Sequence, residues 1–148
     1  MSDTNPDNAA WICYDYFDPP GFADPRGTYV ESVEQLKEML WEFSQMKERL
    51  VSFESAKGFT LGVCIGGPFG TIEYRDASHS EIPLLAIPRE RFTAEGRYFS
   101  IHGESNKVDA MLLMPVGDVI EIVSEIFQTG LLGDKVQWAD WREWMNRG

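Results

Sequence analysis

A change of hydrophobic period along the chain constrains the fold most. In residues 59–65, FTLGVCI, apolar side chains alternate with small or polar ones, a period of two that is typical of a strand with one buried face. The glycine-rich segment GGPFG at 66–70 interrupts this pattern, and TIEYRD at 71–76 follows as a returning strand. We therefore predict a β-hairpin. A phosphate-binding loop is the competing interpretation, but it requires a helix N-terminus after the glycines, and a strand pattern stands there instead.

Two other segments carry the period of an amphipathic helix. Ser32 opens the first, and Ser-Val-Glu-Gln predicts a capping box in which Ser32 and Gln35 satisfy backbone donors. The second helix is predicted to start after Pro115 and to end at Gly130 in a left-handed conformation. The predicted buried faces consist of Val33, Leu36, Met39, Leu40, Phe43, Met46 and Leu50 in the first helix and of Val116, Val119, Ile120, Val123, Ile126 and Phe127 in the second.

The remaining segments complete an α+β prediction. Further strands are expected at 11–17, 51–53, 82–87, 97–101, 108–114 and 136–138, with a turn at 102–107. Trp138, Trp141 and Trp144 recur at helical spacing and predict a short C-terminal helix. We expect one domain over residues 1–148, with residues 1–9 flexible, and an antiparallel sheet of about 5–6 strands on which two main helices pack.

The charge of the chain limits the classes of partner. The sequence has 13 Lys and Arg against 24 Asp and Glu, a net charge of -11. Direct binding of nucleic acid is not expected, because a protein that binds the phosphate backbone needs clustered Lys and Arg side chains. A basic partner is favoured, although acidity that serves solubility alone is the other interpretation. No signal peptide or membrane-spanning stretch is visible, so we expect a cytoplasmic protein that does not enter a membrane.

The sequence offers little for catalysis. Its histidines are His79 and His102, and its cysteines are Cys13 and Cys64. No metal-ligand spacing or nucleophile motif is present, so we predict no enzyme, no metal and no cofactor. A thiol–imidazole pair of Cys64 and His102 in a small hydrolase is the remote alternative.

The helical faces suggest a binding surface. At about 100° per residue, Glu34, Glu38 and Trp41 share a face away from the apolar stripe of the first helix. On the second helix, acids lie opposite the buried face with one isoleucine among them. An apolar anchor within a charged rim is typical of an interface, here with a basic partner, although cover by another part of the chain is equally open. The candidate interface residues are Glu34, Glu38, Trp41, Asp118, Glu121 and Ile122, followed by the hairpin acids Glu73 and Asp76.

The segment AMLLMPVGDVIEIVSEIFQTGLLGDKVQW resembles the closing section of the Imm1 family of bacterial immunity proteins. The shared features are a helix start at Pro115-Val116, a helix stop at Thr129-Gly130 and a hydrophobic-x-Trp at Val136–Trp138. The resemblance extends more weakly over residues 28–138. The loop departs from the pattern, since residues 131–134, LLGD, replace the usual G-x-x-P.

The resemblance implies a protein that binds and blocks a cognate secreted toxin domain, often a nucleic-acid deaminase. Basic clefts of nucleic-acid-acting toxins suit an acidic inhibitor. The alternative is an acidic adaptor or homo-oligomeric structural protein, and whether the free chain is a monomer or a weak dimer stays open.

Overall fold

The computed structural model of the protein describes residues 11–17, 27–76, 80–101 and 103–145. The described chain forms helices α1 (Val33–Ser44), α2 (Val116–Thr129) and α3 (Trp141–Met145). Its strands are β1 (Trp11–Asp15), β2 (Thr28–Val30), β3 (Arg49–Ser55), β4 (Phe59–Ile65), β5 (Phe69–Asp76), β6 (Ser80–Ile87), β7 (Arg97–Ile101), β8 (Glu104–Val108), β9 (Met114–Pro115) and β10 (Gln137–Asp140). The predicted α+β class is confirmed.

The sheet is larger than predicted. Seven strands form a continuous antiparallel path in the order β10-β6-β5-β4-β3-β1-β2. The β7–β8 hairpin joins β3 through one parallel pair, Arg49 with Ser100, and β9 pairs with β5. The sheet of the described residues therefore has ten strands, and the predicted number of about 5–6 is wrong. Strands β2 and β9 are very short and β8 is charged, so none of the three shows an alternating apolar pattern.

The region from 104 to 115 differs most from the prediction. The predicted turn at 102–107 contains most of β8, whose residues 104–108 pair with β7. The predicted strand at 108–114 is wrong, because a short 3-10 helix, Ala110–Leu112, occupies its centre. The carboxylate of Asp109 accepts a hydrogen bond from the N–H of Met111 at 2.9 Å and so caps this turn. A local side-chain cap thus outweighs an apolar run.

The glycine-rich hairpin is confirmed and also positions α2. Strands β4 and β5 pair in register up to Cys64 and Thr71. A side chain at Gly70 would place its Cβ 2.5 Å from the carbonyl oxygen of Cys64, so only glycine fits. The carbonyl of Pro68 accepts a hydrogen bond from the N–H of Val116 at 2.9 Å. Gly70 therefore permits close packing within the hairpin and against Val119 of α2, and the Pro68 carbonyl holds the start of that helix.

The main core lies between one face of the sheet and helices α1 and α2, which also contact each other. Val51, Val63 and Ile72 are paired across β3, β4 and β5 and are fully buried. The Phe127 ring from α2 meets Trp11 from β1 edge-on, with ring centroids 4.9 Å apart. The apolar faces of the strands and of the two helices therefore form one hydrophobic core.

The start of α1 and both ends of α2 lie where they were predicted, but α1 ends at Ser44, so the predicted buried face is wrong beyond that residue: Met46 is exposed and Leu50 lies in β3. The N–H of Gln35 donates to the Ser32 hydroxyl at 3.1 Å, as a capping box requires. The second bond differs from a capping box: the Gln35 side-chain oxygen accepts from the N–H of Glu31 at 2.7 Å and not from that of Ser32. The Gln35 amide donates to the carbonyl of Tyr29 at 2.9 Å. Gly130 ends α2 in the left-handed conformation with φ 74°, as predicted.

The opposite face of the sheet has a thinner cover. A small cluster of Leu85, Ile87 and Leu112 lies there, with Val108 and Ala139 packed beside it. The β7–β8 hairpin, the 3-10 helix and α3 leave part of this face open as a groove lined by Gly62, Glu73, Lys107 and Trp141, among others. We call it the sheet groove.

Candidate functional site

The α1 stripe consists of Glu34, Glu38 and Trp41, which lie on one exposed side of α1 as their spacing predicted. Trp41 is 56% exposed, a large fraction for an indole ring. Neither carboxylate forms an ion pair with any residue that the structure describes. The stripe therefore presents an aromatic surface beside unneutralised negative charge.

The acidic candidates of α2, Asp118 and Glu121, lie on the exposed side as predicted, but the candidate Ile122 does not. Asp118 and Glu121 are exposed, whereas Ile122 is buried with only 3% exposure. The expectation of an exposed apolar anchor at Ile122 is wrong. Helical geometry puts Ile122 about 40° from both Asp118 and Ile126, at the border of the buried face. Val136 belongs to the same core cluster as Ile122 and lines the same cleft.

A cleft of about 350 Å³ opens beside the N-terminal half of α2. We call it the α2 cleft, and it brings the predicted candidates Asp118 and Ile122 together. Its apolar residues include the buried Met114 and Val136, and the half-exposed Phe92 stands at its rim. The full lining is Pro88, Arg89, Glu90, Phe92, Met114, Asp118, Ile122, Lys135 and Val136.

Two basic residues fix the loop between α2 and β10 along this cleft. Arg89 donates from Nε and Nη2 to the carbonyl oxygen of Asp134, at 3.3 Å and 2.8 Å. The Lys135 ammonium forms an ion pair with the carboxylate of Glu121. Glu121 therefore has a cationic neighbour that α2 itself does not supply. The C-terminal end of the loop that departs from the Imm1 pattern therefore contacts Arg89 through Asp134 and Glu121 through the next residue, Lys135.

The hairpin acids do not join the helical candidates. Residues three apart on a strand point to opposite faces, so Glu73 and Asp76 lie on different sides of the sheet. Glu73 lines the sheet groove and pairs with Arg75 at 3.3 Å. Asp76 accepts a hydrogen bond from the Tyr74 hydroxyl at 3.2 Å. Burial, together with the charge of Asp76, raises the pKa of Tyr74 to about 12. Glu73 therefore faces away from the helices, on the other side of the sheet from Asp76, and the role of these two acids in binding stays a prediction.

Cys13 is a small buried residue of the core, whereas Cys64 is half-buried and lines the sheet groove. Burial raises the pKa of the Cys64 thiol to about 12, and the nearby charge of Glu73 adds to the shift. Burial likewise raises the pKa of Cys13 to about 12, with a contribution from Asp15. Both thiols are therefore protonated and weakly nucleophilic near neutral pH. His79 and His102 lie outside the described residues.

Other kinds of site were sought in the same ranges. No group of three or more His, Cys, Asp or Glu side chains is placed to hold a metal ion within the described chain. None of the described helices has the length and apolar character needed to cross a bilayer.

Sequence reasoning missed four charged or aromatic members of the α2 cleft: Arg89, Glu90, Phe92 and Lys135. A signal for Phe92 was available, since it is a large aromatic residue in the polar segment PRERFTAEG between two predicted strands. The pairing of Lys135 with Glu121 had no comparable sequence signal.

Comparison with known proteins leaves the chain without an assigned family. No protein-family model matches it, and no curated protein does either. The resemblance to the Imm1 family and the function that it implies therefore stay predictions.

Proposed function

We propose that the protein is a non-catalytic immunity protein. It acts in the cytoplasm, where it binds a secreted bacterial toxin domain and occludes its active site or substrate cleft. The observation that carries the proposal is the α1 stripe, an exposed Trp41 beside carboxylates that have no ion-pair partner in the described chain. The resemblance of residues 28–138 to the Imm1 family supports the same function.

The negative charge of the chain is expected to speed its association with a basic partner. A chain with net charge -11 attracts a basic surface over several ångströms, and such steering raises association rates above the ~10⁵–10⁶ M⁻¹s⁻¹ of uncharged partners. Toxins that act on nucleic acid present basic clefts to the phosphate backbone, so a nuclease or deaminase domain is the proposed partner. Trp41 then supplies buried area and cation–π contact, while Glu34 and Glu38 pair with bases around it.

The experiment is co-expression of the chain with the toxin domain encoded beside its gene. Cells that carry both should grow, and cells that carry the toxin domain alone should not. The variant Glu34→Lys/Glu38→Lys should slow association about tenfold or more and flatten its salt dependence. The control Glu95→Lys/Glu104→Lys makes the same charge change at two exposed residues away from α1. No protection by the unmodified chain would end the proposal.

An acidic homo-oligomer is the second candidate, because Trp41 and Met46 are both exposed at the end of α1 and could bury against a second copy. Sedimentation of the free chain separates the two functions. A stable oligomer that dissociates in Trp41→Ala would favour the structural role. A monomer that binds the toxin domain through Trp41 would favour immunity.

A further inference from the structure

The α2 cleft combines an apolar floor with a charged rim. Its floor includes Met114, Ile122 and Val136, all buried in the folded chain yet facing the cleft. Phe92, 36% exposed, extends the apolar surface to the rim. Interfaces concentrate binding energy where one large side chain enters such a pocket and surrounding contacts exclude water.

The charges around the rim are not equivalent. Lys135 is paired with Glu121, and Arg89 is held by the carbonyl of Asp134. Asp118 and Glu90, by contrast, have no ion pair or side-chain hydrogen bond within the described ranges. Glu121 does not line the cleft, but it neutralises Lys135, so the remaining lining charges are Asp118 and Glu90 against Arg89, one net negative charge. The rim therefore favours a cation.

We propose that the α2 cleft receives one large apolar side chain from a basic segment of the partner protein, with an adjacent arginine or lysine meeting Asp118 and Glu90. This inference rests on the proposed function and adds the chemistry of the toxin segment that is bound. The volume of about 350 Å³ lies at the lower end of ligand pockets, ~300–1,000 Å³, which suits a side chain. Ile122 then lines the receiving pocket, a role opposite to that of an inserted anchor.

Blocked dipeptides provide a direct test. The probe is N-acetyl-phenylalanyl-arginine amide, titrated into the ¹⁵N-labelled chain while amide chemical shifts are recorded. We expect saturable shifts at Phe92, Asp118 and Ile122, with a dissociation constant of about 1 mM. N-acetyl-phenylalanyl-glutamate amide and N-acetyl-glycyl-arginine amide should each bind at least about fivefold more weakly. Shifts centred on Trp41 or on the sheet groove, or no saturation with any peptide, would overturn the inference.

Exposed-site variants keep the test independent of folding. Asp118→Asn and Phe92→Ala change exposed side chains and should each weaken the arginine dipeptide about threefold or more. Glu104→Gln removes the same charge on β8, away from the cleft, and should leave the affinity unchanged. Equal effects of Asp118→Asn and Glu104→Gln would show a general charge effect and would overturn the proposed site.

The toxin complex distinguishes this inference from the proposed function. Asp118→Lys and Phe92→Ala should each weaken binding of the toxin domain about tenfold or more, whereas Glu104→Lys should not. A toxin domain that is bound and inhibited equally by all of these variants would refute the cleft proposal and leave the immunity function standing. A toxin domain that no form of the chain binds would refute the immunity function, while the dipeptide titration would still report on the cleft.

Discussion

Replacing Ile122 with alanine tests whether this residue belongs to the core or to an exposed surface. The change removes three carbon atoms from a side chain that is 3% exposed. At about 0.8 kcal/mol for each buried carbon, the lost transfer free energy alone is about 2.4 kcal/mol. A residual cavity adds to this loss, and we expect about 2–4 kcal/mol less free energy of unfolding. An exposed isoleucine would change the stability by no more than ~0.5 kcal/mol.

Urea unfolding followed by tryptophan fluorescence measures the difference. With a slope of about 2 kcal/mol per molar urea, the midpoint of Ile122→Ala should fall by about 1 M or more. Leu131→Ala is the matched control, because Leu131 is 70% exposed in the loop that follows α2. Its midpoint should stay within ~0.25 M of the unmodified chain. Equal midpoints for the two variants would refute the buried placement of Ile122 and with it the floor of the α2 cleft.

Three further predictions concern the scaffold. Gly70→Ala should lower stability by about 1–3 kcal/mol, because its Cβ would lie 2.5 Å from the Cys64 carbonyl, whereas Gly117→Ala, with open space around its Cβ, should raise it by about 0.5 kcal/mol; calorimetry on the pair checks both signs. Gly130→Ala should cost about 1 kcal/mol in urea unfolding, since φ is 74° there, and an unchanged midpoint would contradict the left-handed helix end. The pKa of both cysteines is raised from 9.0 to about 12, so the unfolded chain loses thiol protons first and stability should fall as pH rises from about 9 toward 12; Cys13→Ala/Cys64→Ala should flatten that decline, and an unaltered slope would exclude the thiols as its cause.

Local signals explain which parts of the fold could be predicted from the sequence. The ends of α2 were correct because Pro115 fixes its own φ and because Gly130, which has no Cβ, readily adopts the left-handed conformation that ends a helix. The β4–β5 hairpin was correct because its strands alternate and its glycines interrupt them. Strand β8 was missed because its five residues are polar or charged apart from Val108, and pairing with β7 alone determines its conformation.

The candidate site also has one part that the sequence predicts from local spacing and one part that it does not. The α1 stripe follows from positions within one helix, so helical spacing sufficed to predict it. The α2 cleft needs Phe92 and Val136 beside Ile122, and these residues come from separate segments of the chain. No periodicity within α2 shows that Val136 joins Ile122 in one cluster or that Lys135 pairs with Glu121. Ile122 was predicted to be an exposed anchor, and contacts with residues distant in sequence place it in the lining of a pocket instead.

The central claim is stoichiometric inhibition, and titrating the catalytic activity of the toxin domain tests it most directly. Increasing amounts of the chain should reduce the activity linearly to near zero at one equivalent, and Glu34→Lys/Glu38→Lys should require a larger excess. Full activity of the toxin domain at a tenfold excess of the unmodified chain would contradict the account. Complete inhibition at a small fraction of one equivalent would also contradict it, because that result would indicate catalytic turnover.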